Sequence, residues 1–185
     1  MDDRELVDLY LARSETAIEQ TEKKYGPLCR SVAMNILGNR QDAEECVNEA
    51  YLGAWNTIPP QEPDPFRTYL LKIVRNRSLA RFRSNKAQKR DCNFAVALEE
   101  LEGILPATLS VEDELAGREL SALLDRFLEG LDKKSRIVFI RRYWFGDPVA
   151  LIAARFSMRP NSVSVQLLRT RSKLRSFLEK EGYVV

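Results

Sequence analysis

Apolar residues recur at helical spacing along most of this chain, and the period-two alternation of strands is almost absent. Between Arg4 and about Tyr25, the residues Leu6, Leu9, Tyr10 and Ala17 share one face, and Gly26-Pro27 predicts the stop. A second helix is expected over residues 28–37, ending at Gly38-Asn39, and a third from near Gln41 to about Thr57. Residues 59–65, PPQEPDP, hold four of the eight prolines. They cannot be helical, because proline removes a donor and restricts the residue before it. A further helix is expected over residues 66–83. Residues 86–109 keep no clean period, include Gly103 and Pro106, and read as a linker. Ser110, with Asp113 three residues on, has the capping-box pattern and opens a helix running to Leu128 and stopping near Gly130.

The pattern is most informative near the C-terminus. A helix over residues 135–144 ends at Gly146. Asp147 then reads as an N-cap, with Pro148 at the first helical position, where proline is tolerated. This short helix, 148–156, is followed by a break at 157–159 and a longer helix from Pro160. Val163, Leu167, Thr170, Leu174 and Phe177 lie at steps of four, three, four and three, one sustained face. Short helix, tight turn and longer helix together predict a helix-turn-helix. The outward face of the second helix carries Ser162, Gln166, Arg169 and Lys173, flanked by Ser164, Val165 and Leu168. These small, polar and basic groups have the spacing needed to enter a major groove. The expected fold is all-α: two small helical domains, 1–88 and 110–185, joined by an acidic flexible linker, 89–109, with the helix-turn-helix in the second.

Charge sharpens this picture. The net charge is only +2, yet residues 1–65 balance to −7, 66–90 to +9, 91–131 to −8 and 132–185 to +8. Residues 66–90 hold nine Lys or Arg and no acid, and no acid lies between Asp147 and Glu179. A helical hairpin with a basic skin would explain the period but not the missing acid. Two basic blocks separated by an acidic stretch imply two contacts with a polyanion, and nucleic acid is the expected partner.

Composition narrows the chemistry. The chain has no histidine, so Ser-His-Asp and Cys-His arrangements are impossible. Its glycines are scattered singly and make no phosphate loop. Cys29, Cys46 and Cys92 lie far apart without a CxxC, which argues against a structural zinc. A reducing cytosol is expected, with Cys29 and Cys46 as buried small hydrophobes. No apolar run approaches the ~18 residues of a membrane span, and the acidic N-terminus does not read as a signal peptide. Catalytic residues, metal and cofactor are all expected to be absent.

One helix carries a misplaced apolar group. Within residues 42–55, DAEECVNEAYLGAW, one face holds Ala43, Cys46, Val47, Ala50, Tyr51 and Ala54. Asp42, Glu45, Glu49 and Asn56 lie opposite, with Leu52 in the middle of that acidic face and Trp55 beside it. An apolar pair among carboxylates fits a docking surface for a protein with basic groups. For Trp55, packing against a neighbouring helix is an equal alternative.

These segments, in this order, resemble sigma-70-type RNA polymerase sigma factors of the extracytoplasmic-function class over nearly the full chain. DAEECVNEAYLGAW is similar to the helix with which that family grips the clamp coiled coil of the polymerase β′ subunit. The resemblance implies core-binding roles for Asp42, Glu45, Asn48, Glu49 and Leu52. FRTYLLKIVRNRSLARFR is similar to the family's promoter −10 and melting helix, implying DNA contacts from Phe66, Arg67, Tyr69, Lys72, Arg75, Asn76 and Arg77. Asn76 is the first choice for base contact, since an amide both donates and accepts. Arg75 and Arg77 would hold backbone phosphates. The family captures a flipped base, and a base taken out of the stack needs a pocket, here the proline-bounded loop and the start of the next helix. The C-terminal domain is similar to the family's −35 reader, implying contacts from Ser162, Ser164, Val165, Gln166, Leu168, Arg169 and Lys173.

Ala80 stands where the family often has aspartate, and Ser164 and Gln166 where it often has Lys and Arg, so the −35 sequence does not transfer. Implied partners are core polymerase, through the β′ coiled coil and the β flap, and promoter DNA, with room for an anti-sigma factor. The implied location is the cytoplasm. The acidic linker would thread the polymerase's basic RNA channel. Two other readings remain from the residues alone. One is an autonomous helix-turn-helix regulator, binding as a dimer on a palindrome. The other is a helical interaction protein that uses the Leu52 surface.

Overall fold

The computed structural model describes residues 1–85, 92–105 and 114–183. The predicted capping box at Ser110 and Asp113 lies outside the described residues. The chain divides into two compact units, Met1–Ala95 and Val96–Val185. The described secondary structure is helical throughout.

The first unit contains α1 (Asp3–Leu11), α2 (Thr16–Leu37), α3 (Arg40–Thr57) and α4 (Phe66–Ser84). The last three pack against one another, and α1 closes one end of their core. Leu6, Tyr10, Cys29, Ile36, Cys46, Ala50, Phe66, Leu70 and Val74 are fully buried there. The predicted apolar face of α3 is the buried one. Cys29 and Cys46 are buried free thiols, and burial pushes the Cys29 thiol up to about 12.

The break expected at Gly26-Pro27 does not occur. α2 runs straight through both residues. Pro27 lies on the exposed side, where water can reach the carbonyl it leaves unpaired, and Tyr25 and Cys29 on either side are buried. Core burial on both flanks therefore offsets the ~3 kcal/mol that proline costs inside a helix. Gly26 has its own reason. A Cβ there would meet the Glu22 carboxylate at 2.5 Å, and that carboxylate is held by Arg30 and by the Tyr51 hydroxyl at 2.7 Å. The break falls earlier, between α1 and α2, where Arg13 adopts a left-handed φ of 53°. Its guanidinium donates to the Trp55 carbonyl at 2.5 Å and sits 5.2 Å from the Trp55 ring centre. α2 ends as predicted at Gly38, whose φ of 68° suits glycine.

α5 (Asn93–Glu99) forms where the sequence predicts no helix. It is too short for a periodic signal to stand out, and its apolar residues find partners only in space. Phe94 packs edge-on against Phe82 at 5.6 Å within the first unit. Ala97 and Leu101 belong to the core of the second unit.

The second unit adds α6 (Glu114–Glu129), α7 (Lys133–Tyr143), α8 (Val149–Arg155) and α9 (Pro160–Lys180). α9 carries Pro160 at its first turn and buries Val163, Leu167, Thr170, Leu174 and Leu178. Phe177, predicted on this face, is half-buried and stacks on Phe127. Asp147 corrects another expectation. It is not the N-cap of α8, a place taken by Pro148. Its side chain is 1% exposed and turned inward to pair with Arg141, clamping the turn between α7 and α8. A carboxylate at a helix start can accept from backbone amides as a cap, but the half-buried Arg141 guanidinium offers a charged, two-pronged donor.

Candidate polymerase and promoter interfaces

The acidic face of α3 is built as the helical period requires. Asp42, Glu45, Glu49 and Leu52 follow at steps of three, four and three, and Asn39 caps the helix by accepting from the backbone of Gln41 at 2.8 Å. Leu52 is 56% exposed with its acids around it. Trp55 is not part of that surface. Its ring packs 6.1 Å from Tyr10 and lies under Arg13, so it is a packing residue.

The carboxylates are not bare. Arg81 of α4 reaches Glu45 at 3.0 Å, Asp42 at 3.5 Å and Glu49 at 3.5 Å. Arg77 lies 3.9 Å from Glu49, and the Asn85 amide donates to Asp42 at 3.0 Å. Arg81 thus serves the acidic face, and Arg77 stands at its border rather than clear of it. Sequence reasoning placed both in one basic block. The signal that separates them is angular: residues 77, 81 and 85 are spaced by four and line up along one side of α4 and its C-cap.

On the other side of α4, Tyr69, Lys72 and Asn76 share a face at steps of three and four. Lys72 and Asn76 are exposed and Tyr69 is half-buried, its hydroxyl tied to Thr57. Arg67 is exposed. Arg75 is half-buried, and burial with the neighbouring Arg83 charge pushes its guanidinium down to about 10, still charged at neutral pH. Phe66 is fully buried between Tyr10 and Tyr25, so it anchors the loop rather than presenting a ring to DNA. The start of α4 lacks a local side-chain cap. Asp3 supplies one from α1, accepting from the Arg67 backbone at 3.1 Å while it also holds Lys24 and Tyr25. Burial raises the Asp3 pKa, but these three donors outweigh it and leave the carboxyl below its ordinary value.

In the second unit, α7 and α9 line an open groove of about 780 Å³. Ser162, Val165, Gln166, Arg169 and Lys173 reach it from α9. Ser164 and Leu168 are exposed but lie off this groove, and Ser164 donates back to the Pro160 carbonyl at 3.2 Å. Lys134 and Ser135 enter from α7 and were missed by sequence reasoning, since Ser135 sits 31 positions from Gln166 and only the fold brings them together.

Two family models match the chain: sigma-70 region 2 over residues 23–88 and sigma-70 region 4 over residues 121–174. The chain belongs to the sigma-70 family. It is a sigma factor, directing promoter recognition in transcription initiation, and its partners are RNA polymerase and promoter DNA. Region 2 takes in α3 and α4, and region 4 takes in α7, α8 and most of α9. No curated protein matches the sigma factor's sequence. Among solved structures it is similar to CnrH in complex with the cytosolic domain of CnrY, at 21% identity over 97% of this chain and 99% of that one, with a TM-score of 0.45. The matched families are not enzyme families. Among the described residues, no helix is long and apolar enough to cross a membrane, and no cluster of His, Cys, Asp or Glu could hold a metal ion.

Proposed function

We propose that the two units of this sigma factor divide the promoter between them, and that core polymerase docks on the acidic face of the first. The first unit takes the −10 element with α4, and the second takes the −35 element with α9. The observation that carries this reading is the separation of α4 into two faces. Arg81 and Arg77 turn to the acids of α3, while Lys72 and Asn76 stand exposed on another side. One helix can then hold DNA and support a protein contact at once.

The division of labour follows from chemistry. Lys72, Arg67 and Arg75 hold phosphates and make affinity salt-dependent. Asn76 contacts a base that has left the stack, with Tyr69 beside it as a stacking surface. The β′ coiled coil would seat on Leu52 with Glu45, Asn48 and Glu49 around it, and the β flap would take region 4. A partner that covers Leu52 would act as an anti-sigma factor, since it would compete with core polymerase for the same side chains. Work beside polymerase and promoter places the protein in the cytoplasm.

The experiment is run-off transcription. Purified protein is mixed with bacterial core polymerase and a genomic fragment library, and the 5′ ends are sequenced. Starts that need the protein and share two upstream motifs support the proposal. A gel shift by the protein alone, without new starts, would favour an autonomous regulator. Two variants sharpen it. Asn76→Ala should leave closed-complex binding within about twofold and slow opening roughly tenfold or more, the loss of one or two hydrogen bonds to a base. Permanganate reactivity of exposed thymines reads this directly. Arg169→Ala should weaken use of the −35 element by roughly five- to a hundredfold, the worth of one base pair's readout, with core binding unchanged. Equal output from promoters with intact and scrambled −35 elements in the wild type would count against the second role.

A further inference from the structure

Two aliphatic side chains on α9 point away from the core that the rest of the helix serves. α9 buries Val163, Leu167, Thr170, Leu174 and Leu178 along one side. Winding it at 3.6 residues per turn puts Val165 opposite the midpoint of that side, with Leu168 on one flank and Arg169 on the other. Val165 is 37% exposed and Leu168 58%. Three positions apart, they are neighbours on the helix surface. Scattered apolar residues are ordinary on a surface, but these form an adjacent pair at the point farthest from the core. Their surroundings narrow the partner. Asn161, Ser162 and Ser164, in the turn before, are exposed and short, so the backbone of α9 can come close to what it meets. Arg169 is exposed beside the pair, and no acid lies between Asp147 and Glu179. A polyanion that also offers a small apolar group satisfies both features, and duplex DNA does so at thymine.

We propose that Val165 and Leu168 read thymine in the −35 element through its C5 methyl group. The inference rests on the reading that α9 enters the major groove there. Of the four bases only thymine shows a methyl group in that groove. An aliphatic side chain set against N7 or O6 of a purine strips water from an acceptor and offers no proton in return. Against a thymine methyl it removes water from carbon on both partners, which is favourable. Cytosine lacks the methyl and brings its N4 donor to the same edge, so it too is the poorer fit. The cations of α9 give affinity without sequence, and the aliphatic pair adds a preference that charge alone lacks.

The test removes the methyl group from the DNA. Reconstituted holoenzyme transcribes a promoter found in the run-off experiment, with each thymine of its −35 element, on either strand, replaced in turn by uracil. Uracil keeps the O4 acceptor and loses only the methyl. At one or more positions it should lower wild-type output about fourfold, the worth of one buried carbon. A cytosine placed there should gain about as much from 5-methylation. The double variant Val165→Ala, Leu168→Ala should lower output from the thymine template and shrink the thymine–uracil difference below about twofold. Alanine is the best helix former, so α9 persists, and a damaged fold would in any case lower both templates alike. If uracil costs nothing at every −35 thymine, or costs as much in the double variant as in the wild type, the proposal is overturned. Equal loss by the variant on thymine, uracil and scrambled templates would make the pair a protein contact and overturn it as well. If scrambling the element leaves wild-type output unchanged, the −35 reading of α9 fails first and the methyl reading with it. If scrambling matters and uracil does not, only the methyl reading fails.

Discussion

Leu52→Asp is expected to abolish the complex with core polymerase while leaving the fold intact. Leu52 is more than half exposed, so nothing in the core of the first unit depends on it. A surface change of this kind moves stability within about 0.5 kcal/mol. Its neighbours are Glu45, Asn48 and Glu49, on the same side of α3. An apolar side chain in a ring of polar groups is the usual form of an interface anchor, excluded from water only when the partner arrives. Truncating such an anchor costs at least ~2 kcal/mol of binding, about thirtyfold in affinity, and a buried unpaired carboxylate adds to that. Competition for core polymerase against a labelled wild-type chain measures the loss. An unchanged urea midpoint, followed by Trp55 fluorescence in a Trp144→Phe background, shows that the fold survives. If the variant competes as well as the wild type, the docking face lies elsewhere. The three carboxylates held by Arg81 would then be structural, there to fasten α4 to α3.

Glu100→Ala is expected to destabilise the second unit by about 3 kcal/mol, the low end for breaking a buried ion pair. The Glu100 carboxylate accepts from Arg142 at 2.6 Å, Tyr143 at 2.8 Å and Arg171 at 2.9 Å. Arg142 is 4% exposed and Arg171 17%, so removing the acid leaves two guanidinium groups with little water to replace it. Arg142 also donates to the Asp147 carbonyl at 3.1 Å, which carries the strain to the α7–α8 turn. Urea unfolding followed by Trp144 fluorescence, with Trp55 replaced by Phe, isolates this unit. An unmoved midpoint would mean the network adds nothing beyond packing.

The same carboxyl predicts a pH dependence. Burial raises its pKa, but the bonds from Arg142 and Tyr143 and the charges of Arg142 and Arg171 outweigh this, and the net shift is downward. A carboxyl lowered on folding stabilises above its unfolded value, near 4.5, and loses that contribution as pH falls through the folded value. Acid should therefore weaken the wild-type second unit below about pH 4.5. Glu100→Gln, already uncharged, should lose less over the same range.

Much of this molecule was legible one residue at a time. The steps of four and three from Val163 onward gave a helix, and α9 buries that face. Gly38 marked a stop because a left-handed φ is a property of a few neighbouring residues. The charge blocks pointed to a polyanion because the absence of acid over a long stretch needs no coordinates to see. Asp42, Glu45, Glu49 and Leu52 fell on one side of α3 by period alone.

The sequence by itself determined the helices with long periodic faces, the turn motif near the C-terminus and the sign of charge along the chain. Only the tertiary structure decided which charges meet. Arg81 belongs to a basic run, yet its partners are three acids on the preceding helix. Asp147 looks like a cap, yet the half-buried Arg141 outbids a backbone amide for it. Glu100 lies in a stretch with no period, yet three donors from α7 and α9 converge on it. Pro27 should stop a helix, yet core burial on both sides carries α2 through. In each case the local preference is worth no more than a few kcal/mol, and burial with a charged partner is worth as much. Helical period is a property of adjacent residues and survives in the sequence. Pairing is a property of neighbours in space, and these are set only when the helices have packed.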